Sequence, residues 1–586
     1  MKIPAVAPSI VALATLAASV HAQCPPLGSP APEKLVVPGL GIKGGDQLGI
    51  SVAIDGDVAV VGAWLQDLFA PGDNVGAAYV YEREQGCWVL KAQLISPVGV
   101  EFGRALAVSG DRILIGNWKE FDTSVGVAGP GAAYVYEKDA SGCWGVTAKL
   151  EPDPGQSDSF SFFGVSVSLD GDRALIGARE DNDAGGDEGA AYVFEYDSVN
   201  DVWMQTQKIL PPGTGSVLPS WFGNSVSLSG DRALIGAWVT SCEPPPSACS
   251  TCFNFNCPDT CTCDTGKAFV YDLSPATGQW TLSATLMASD ASPGDGFGSV
   301  ALSGDVAVVG AYEDDAGCVG SPPDCNSGSA YVFERDAGGN WSQTAQLVPS
   351  DSEAQDNFGL SVSVAGTTIV VGARNWDGSS ADVGTAYVFA KQGSAWNEIH
   401  RLTAPGAGPG ARAGYATGLS KDGRFAILGA PQDDGASLKT GAAYVVGTSL
   451  TADRETASLS AGDVVNFSLW AGQTPGPPNQ LYVLLGSLSG TCPGLPLDKE
   501  LLPLNVGGEY FGYTLNSVNT PPLTNSFSTL DAMGQASAAF TIPAGTDPSL
   551  AGLVLHHAFV ALDLTSIPGA AVVDFASNAV GFQTVP

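Results

Sequence analysis

Four histidines, twelve cysteines and sixty acidic residues define the chemistry open to this 586-residue chain. Histidine is the usual general base near neutral pH. His400 sits beside Arg401, His556-His557 lies in an apolar run, and His21 falls in the first two dozen residues. No Ser-His-Asp order, His-Glu-x-x-His helix or paired-carboxylate motif is present, so the residues favour a non-enzymatic protein. The acids cluster in Glu180-Asp181-Asn182-Asp183 with Asp187-Glu188, in Glu313-Asp314-Asp315 and in Asp433-Asp434. Calcium needs six to eight oxygens, which makes Asp181, Asp183, Asp187, Asp314 and Asp315 weak metal candidates. The competing reading is a solvated turn whose Asp and Asn side chains cap local backbone groups. Cys242, Cys249, Cys252, Cys257, Cys261 and Cys263 crowd one Pro-rich stretch, and Cys318 and Cys325 share another. A structural zinc site would need four thiolates or imidazoles, and no histidine is near. Disulfides are the expectation for all eight, with Cys318 paired to Cys325 and the pairing within the six open. Trp88, Trp144, Trp203, Trp280, Trp341 and Trp396 recur in one register and read as packing anchors. Trp64, Trp118, Trp221, Trp238 and Trp376 fall outside it, near strand ends or loops, and are the ligand-contact candidates.

The elements that must position these residues are short strands. Gly and Pro together make a fifth of the chain (74 and 39 residues), hydrophobic residues 44% and charged residues 15%. A chain of this composition is turn-rich with ample material for a core. The net charge of −35 repels phosphate backbones and anionic lipid, excluding nucleic-acid binding and polybasic membrane docking. Lys2, the apolar stretch Ile3–Val20 and Val20-His21-Ala22 read as a signal peptide, residues 1–22, cut after Ala22. No later run is apolar enough to span a membrane. A secreted or cell-surface location follows, and the even cysteine count fits that compartment.

A unit of 50–60 residues recurs seven times. In its clearest copy Phe163-Gly164 opens an alternating run to Leu169, and Asp170-Gly171 turns the chain. Arg173–Ala178 returns it, an acidic loop follows, and Gly189–Phe194 and Trp203–Ile209 supply two more strands. The third-strand aromatics Tyr79, Tyr134, Tyr192, Phe269, Tyr331, Tyr387 and Tyr444 lie 55–62 residues apart, except for 77 where the six-Cys stretch is inserted. Four strands per unit is a propeller blade. The seventh copy stops at Gly447 without a fourth strand, and Glu33–Pro38 resembles the missing one. The expectation is a ring closed by its N-terminal segment, which removes an exposed edge.

Phe-Gly, a strand ending Gly-Ala, then Gly-Ala-x-Tyr-Val-Tyr, resembles the FG-GAP repeat of integrin α-subunit propellers and many bacterial exported proteins. The resemblance covers Lys34–Gly447. It implies a seven-bladed β-propeller, extracellular placement, and adhesion or ligand recognition on one face. Many relatives carry an Asp-x-Asp-x-Asp-Gly-x-x-Asp calcium loop in the first hairpin. Here that hairpin has collapsed to turns such as Asp55-Gly56-Asp57 and Asp170-Gly171-Asp172, so those sites are not carried over and no cofactor is expected. After Gly447 the period stops. Short strand-like runs separated by Pro- and Gly-rich turns point to a β-sandwich over residues 449–586. Leu484–Thr491 and Leu530–Ala536 resemble a C-terminal module of planctomycete-like exported proteins. The sequence thus reads as all-β: a propeller over residues 23–448 with a Cys-rich insertion at 242–263, then a sandwich. The expected function is recognition or adhesion, with an extracellular protein or glycan as partner. The alternatives are a carbohydrate-active or other hydrolytic propeller enzyme and a structural surface or matrix component.

Overall fold

The computed structural model describes residues 33–37, most of 44–448, and the strands with some turns between 450 and 585. Outside the described residues lie 1–32, with the expected leader, and 239–264, with the six clustered cysteines. Shorter loops, among them 183–187, 318–324 and 434–439, also lie outside, and they contain Asp183, Asp187 and Cys318. Cys325 is buried and disulfide-bonded, its partner lying outside the described residues. All regular structure among the described residues is β-strand.

Between residues 33 and 447 the described strands form seven four-stranded antiparallel sheets, here sheets 1–7 in chain order, and one short ribbon, Phe121–Asp122 with Val127–Ala128. Sheet 3 shows the plan: Phe163–Asp170, Arg173–Ala178, Ala190–Asp197 and Val202–Ile209, paired in sequence order. The second and third strands are near-continuous apolar runs because both their faces are covered by neighbouring sheets. The fourth strand is largely exposed and closes on a buried Ile209. A bulge between the third and fourth strands recurs in the first six sheets, for example at Val193/Phe194, and increases their twist. Sheet 7 takes its fourth strand from the other end of the chain. Glu33–Leu35 pairs antiparallel with Ala442–Gly447, placing Lys34 opposite Tyr444.

The first strands line the centre, each packing on the first strands of both neighbouring sheets, and that of sheet 7, Ala416–Leu419, meets Leu48–Asp55 of sheet 1. The repeated glycines explain how closely the sheets approach. A Cβ on Gly62, at the end of the second strand of sheet 1, would lie 2.0 Å from the Gly103 carbonyl oxygen of sheet 2. The same contact joins Gly116 to Gly164, Gly177 to Gly223, Gly236 to Gly298, Gly310 to Gly359, Gly372 to Gly414 and, across the closure, Gly429 to Gly49, all at 1.9–2.0 Å. Only glycine permits this approach. Five of the acceptor glycines follow a buried phenylalanine that packs on an aromatic ring of its own third strand, as Phe163 does edge-on against Tyr192 at 5.2 Å, while Gly49 and Gly414 follow Leu48 and Ala413.

Hairpins between first and second strands face the opposite end of the ring from these glycines. Their side chains tie one turn to the next. Asp55 accepts from the Gly110 amide at 2.9 Å, Ser109 from Gly171 at 3.0 Å, Asp170 from Gly230 at 2.7 Å, Ser229 from Gly304 and Ser303 from Gly366, both at 3.0 Å. Arg112, Arg173 and Arg232 each pair with the Asp of the following turn, Asp172, Asp231 and Asp305. Lys421 of sheet 7 bonds Ser109 at 3.0 Å and Asp170 at 2.8 Å. These turn acids hold adjacent sheets together.

Beyond residue 450, Leu450–Ala452, Asp463–Trp470, Gln535–Ile542 and Leu523–Thr524 form a four-stranded sheet. A six-stranded sheet contains Thr456–Ser458, Leu481–Ser487, Phe527–Thr529, Val554–Ile567, Ala570–Ala576 and Val580–Val585. Buried His557 of the second sheet packs against Phe467 and Phe540 of the first, ring centroids 4.8 and 5.7 Å apart.

Candidate functional site

The glycine contacts place two columns of the repeat at one end of the central channel. One follows the Gly-Ala that ends each second strand: Trp64, Trp118 (after Gly116-Asn117), Arg179, Trp238, Tyr312, Arg374 and Pro431. The other follows the Phe-Gly or its counterpart Ala413-Gly414 and includes Arg104, Asn224 and Tyr415. The columns meet there because the start of a first strand pairs with the end of a second, as Phe163 does with Ala178.

Residues just before the Phe-Gly pair complete this mouth. Gln47, Glu101, Phe162, Trp221, Asn357 and Arg412 all hold left-handed backbone, with φ between +52 and +61°. For a phenylalanine or tryptophan this conformation carries strain that surrounding structure must sustain. Each turn sends the chain from a loop into the first strand, so these side chains fall beside the two columns.

Arginine and aromatic rings alternate around the mouth. The Arg104 guanidinium lies 5.1 Å from the Trp64 ring and 4.8 Å from Trp118. Arg179 approaches Phe162 at 5.3 Å, Trp221 at 5.4 Å and Trp118 at 6.0 Å. Trp118 meets Phe162 edge-on at 4.7 Å. Trp238 packs on Tyr312 at 5.5 Å, and Arg374 lies 5.8 Å from Tyr415. Such cation–aromatic contacts gain strength as the groups lose water. Burial holds the Arg104 guanidinium below its ordinary value, and neighbouring Arg179 acts in the same direction. Burial lowers Arg179 as well. Tyr415 of sheet 7 is near enough to influence both Arg104 of sheet 2 and Tyr312 of sheet 5, so the walls converge. Burial pushes Tyr312 up to about 12 and raises Glu313.

Four of the five tryptophan candidates, Trp64, Trp118, Trp221 and Trp238, stand at this mouth. Trp376 does not. It is three residues after Ala373, a register whose occupants in other sheets, Gln66, Glu120, Asp181, Asp314 and Asp433, accept the hydroxyl of the third-strand tyrosine. With Trp376 in that place, Tyr387 donates instead to Asp351 at 2.7 Å, and Trp376 stacks with Arg401 at 4.3 Å. Arg104, Arg179, Arg374, Phe162 and Tyr415 were not among the candidates. Their signal lay in reading the columns beside Gly-Ala and Phe-Gly across all copies.

Of the described acidic candidates, Asp181 and Asp314 are buried against their own sheets, and Asp315 is exposed in a loop. Asp181 accepts from Tyr192 at 2.6 Å and pairs with Lys208 at 2.9 Å. Asp314 accepts from Tyr331 at 2.6 Å and from Ser329, and Asp315 from the Asn326 amide at 2.8 Å. Among the described residues no three His, Cys, Asp or Glu side chains gather in a metal-holding group. Burial pulls His400 down to about 4, leaving it neutral at physiological pH.

The FG-GAP repeat matches five times, at residues 42–81, 144–194, 203–243, 280–333 and 341–389. No curated protein matches the chain. Among solved structures it is similar to Sqt1 from Chaetomium thermophilum, at 15% identity and TM-score 0.37, covering 74% of this chain and 84% of that one. It is similar to a protein from Lactobacillus plantarum at 14% identity and TM-score 0.38, covering 71% and 92%. It is also similar to the periplasmic gluconolactonase PpgL from Pseudomonas aeruginosa at 15% and 0.35, covering 60% and 84%.

Proposed function

We propose, from the premise that this chain carries FG-GAP repeats, that it is an exported, non-enzymatic recognition or adhesion protein. In this reading residues 23–448 are a seven-bladed β-propeller and 449–586 a β-sandwich that tethers or orients it. The partner is an extracellular protein or glycan, and the contact surface is the channel mouth. The observation that carries the reading is the gathering of Trp64, Arg104, Trp118, Phe162, Arg179 and Trp221 at one end of the ring. Tryptophan and arginine are the residues enriched where binding energy concentrates. Strained backbone at Phe162 and Trp221 is sustained there, as expected of a surface kept for contact. The leader-like N-terminus and a buried disulfide at Cys325 support export. The Cys318–Cys325 pair and disulfides within the 242–263 insertion belong to the same proposal.

The test immobilises the full secreted chain and captures partners from cell-surface extract and from a glycan array, with and without calcium. Saturable capture that falls about tenfold or more in Trp118→Ala is the expected result, since interface tryptophans are common hot spots. Capture equal in wild type and variant would displace the mouth as the contact surface. A ligand recovered chemically altered would replace recognition by catalysis.

A further inference from the structure

Resting on that reading, we propose that the channel mouth is an oxyanion site, and that its ligand is an acidic sugar whose carboxylate seats between Arg104 and Arg179. Arg104 is held flat by the rings of Trp64 and Trp118, yet among the described residues no carboxylate lies within ion-pair distance of it and no hydrogen bond occupies its donors. Its nitrogens are not among the sealed polar atoms, so they reach solvent. A guanidinium stacked this way keeps a planar edge of N–H donors that matches a carboxylate in two bonds. Arg179 lies 6.0 Å from the same Trp118 ring that Arg104 meets at 4.8 Å, and an anion beside both relieves the repulsion of the two guanidiniums.

The surrounding charges leave room for one anion. Glu101 is paired with Lys119 at 2.7 Å, and Glu180 lies 3.5 Å from the Arg179 Nε. Arg374 is committed to Asn357 Oδ1 through Nε at 3.2 Å and a terminal nitrogen at 3.1 Å. The net charge of −35 works against long polyanions, which would meet repulsion everywhere beyond the mouth, and favours a compact ligand with a single charge.

Peptide recognition by strand addition needs an open sheet edge. Here each first strand is the inner edge of its sheet, but serines of the preceding sheet occupy that edge, as Ser225 and Ser227 accept from the Val300 and Leu302 amides at 3.1 and 2.9 Å, so it is not open to an added strand. Gln47 accepts from the Trp64 indole at 3.0 Å and Asn224 from one terminal nitrogen of Arg179 at 3.3 Å, which leaves their amide nitrogens beside the rings to meet a polyhydroxylated ligand.

The experiment titrates the full chain with glucuronate, with an oligosaccharide ending in glucuronate, and with the same oligosaccharide ending in glucose, by calorimetry and tryptophan fluorescence. Both acids should bind, and the glucose-ended form should bind at least about tenfold more weakly, as should glucuronate to Arg104→Ala. Tighter binding of the glucuronate-ended oligosaccharide than of free glucuronate would identify a glycan end as the source, and equal binding a free sugar acid. Arg173→Ala, in the turns at the far end, should leave affinity unchanged. Arg179→Gln serves as a second variant if Arg104→Ala melts abnormally. Equal binding of acidic and neutral sugars, undiminished binding by both variants, or preference for a peptide C-terminal carboxylate would overturn the proposal. A captured partner that glucuronate cannot displace sinks this inference and leaves recognition standing. Glucuronate binding with no captured partner does the reverse.

Discussion

Two buried aspartates show how a single residue couples this ring to pH. Asp295 and Asp356 each sit two residues before a Phe-Gly phenylalanine. Burial, reinforced by nearby acids, pushes Asp295 up to about 7 and Asp356 up to about 6. Unfolded aspartate titrates near ~3.9, so between that value and about 6–7 the native state binds more protons than the unfolded chain. Stability therefore falls as pH rises through this window and is greatest at its acid end. Melting curves from pH 4.5 to 8 should show a decline with rising pH, and Asp295→Asn should flatten it. An identical slope in the variant would remove Asp295 from the account. Comparing variant with parent separates this effect from the general relief of repulsion that acid brings to a chain of charge −35.

At the level of the strand, the decisive contacts are the glycine pairs. The repeat pattern marks these positions but is silent on what they touch. A Cβ on Gly310 would lie 1.9 Å from the Gly359 carbonyl oxygen, a backbone atom that cannot swing aside. Gly310→Ala should cost about 2 kcal/mol or more, read as a lower denaturation midpoint. Gly56→Ala provides contrast, because no atom lies within 4 Å and its cost comes only from φ +54° in an open turn. The Arg–Asp pairs of the hairpins contribute less. In Arg173–Asp231 the aspartate side chain is 74% exposed, and exposed pairs are worth about 0–1 kcal/mol. Arg173→Ala should shift the melting temperature slightly, and less at high salt.

For the ring as a whole, closure is the central fact. Glu33–Leu35 completes sheet 7, and Lys34 reaches across to Asp433 at 2.6 Å. Leu35 is buried in the same apolar cluster as Leu48 and Tyr79 of sheet 1. Removing residues 1–37 should leave Ala442–Gly447 as an open edge. Lower melting temperature and concentration-dependent association, seen by light scattering, are the expected results. A truncated chain that melts like its parent and stays unassociated would show that the closing strand is dispensable.

Much of the architecture was legible from the chain alone because it is written seven times. Alternation, turn dipeptides and glycine spacing are local properties, and repetition lifts them above accident. The closing role of Glu33–Leu35 was legible for the same reason, as a fourth strand missing at one end and present at the other. The site was less legible. Asp181 and Asp314 were weak calcium candidates set against a solvated turn, and folding turns them onto tyrosine hydroxyls within their own sheets, a partner neither reading named. Trp376 looked like a contact residue, and its register puts it in the tyrosine-partner place. Arg104 carried no local mark at all. Its meaning comes from Trp64 in one sheet, Trp118 in its own and Arg179 in the next, brought together only when consecutive sheets pack. Local spacing can specify strands and turns, because those depend on neighbours in sequence. A convergent site depends on neighbours in space, and only the closed tertiary ring supplies them.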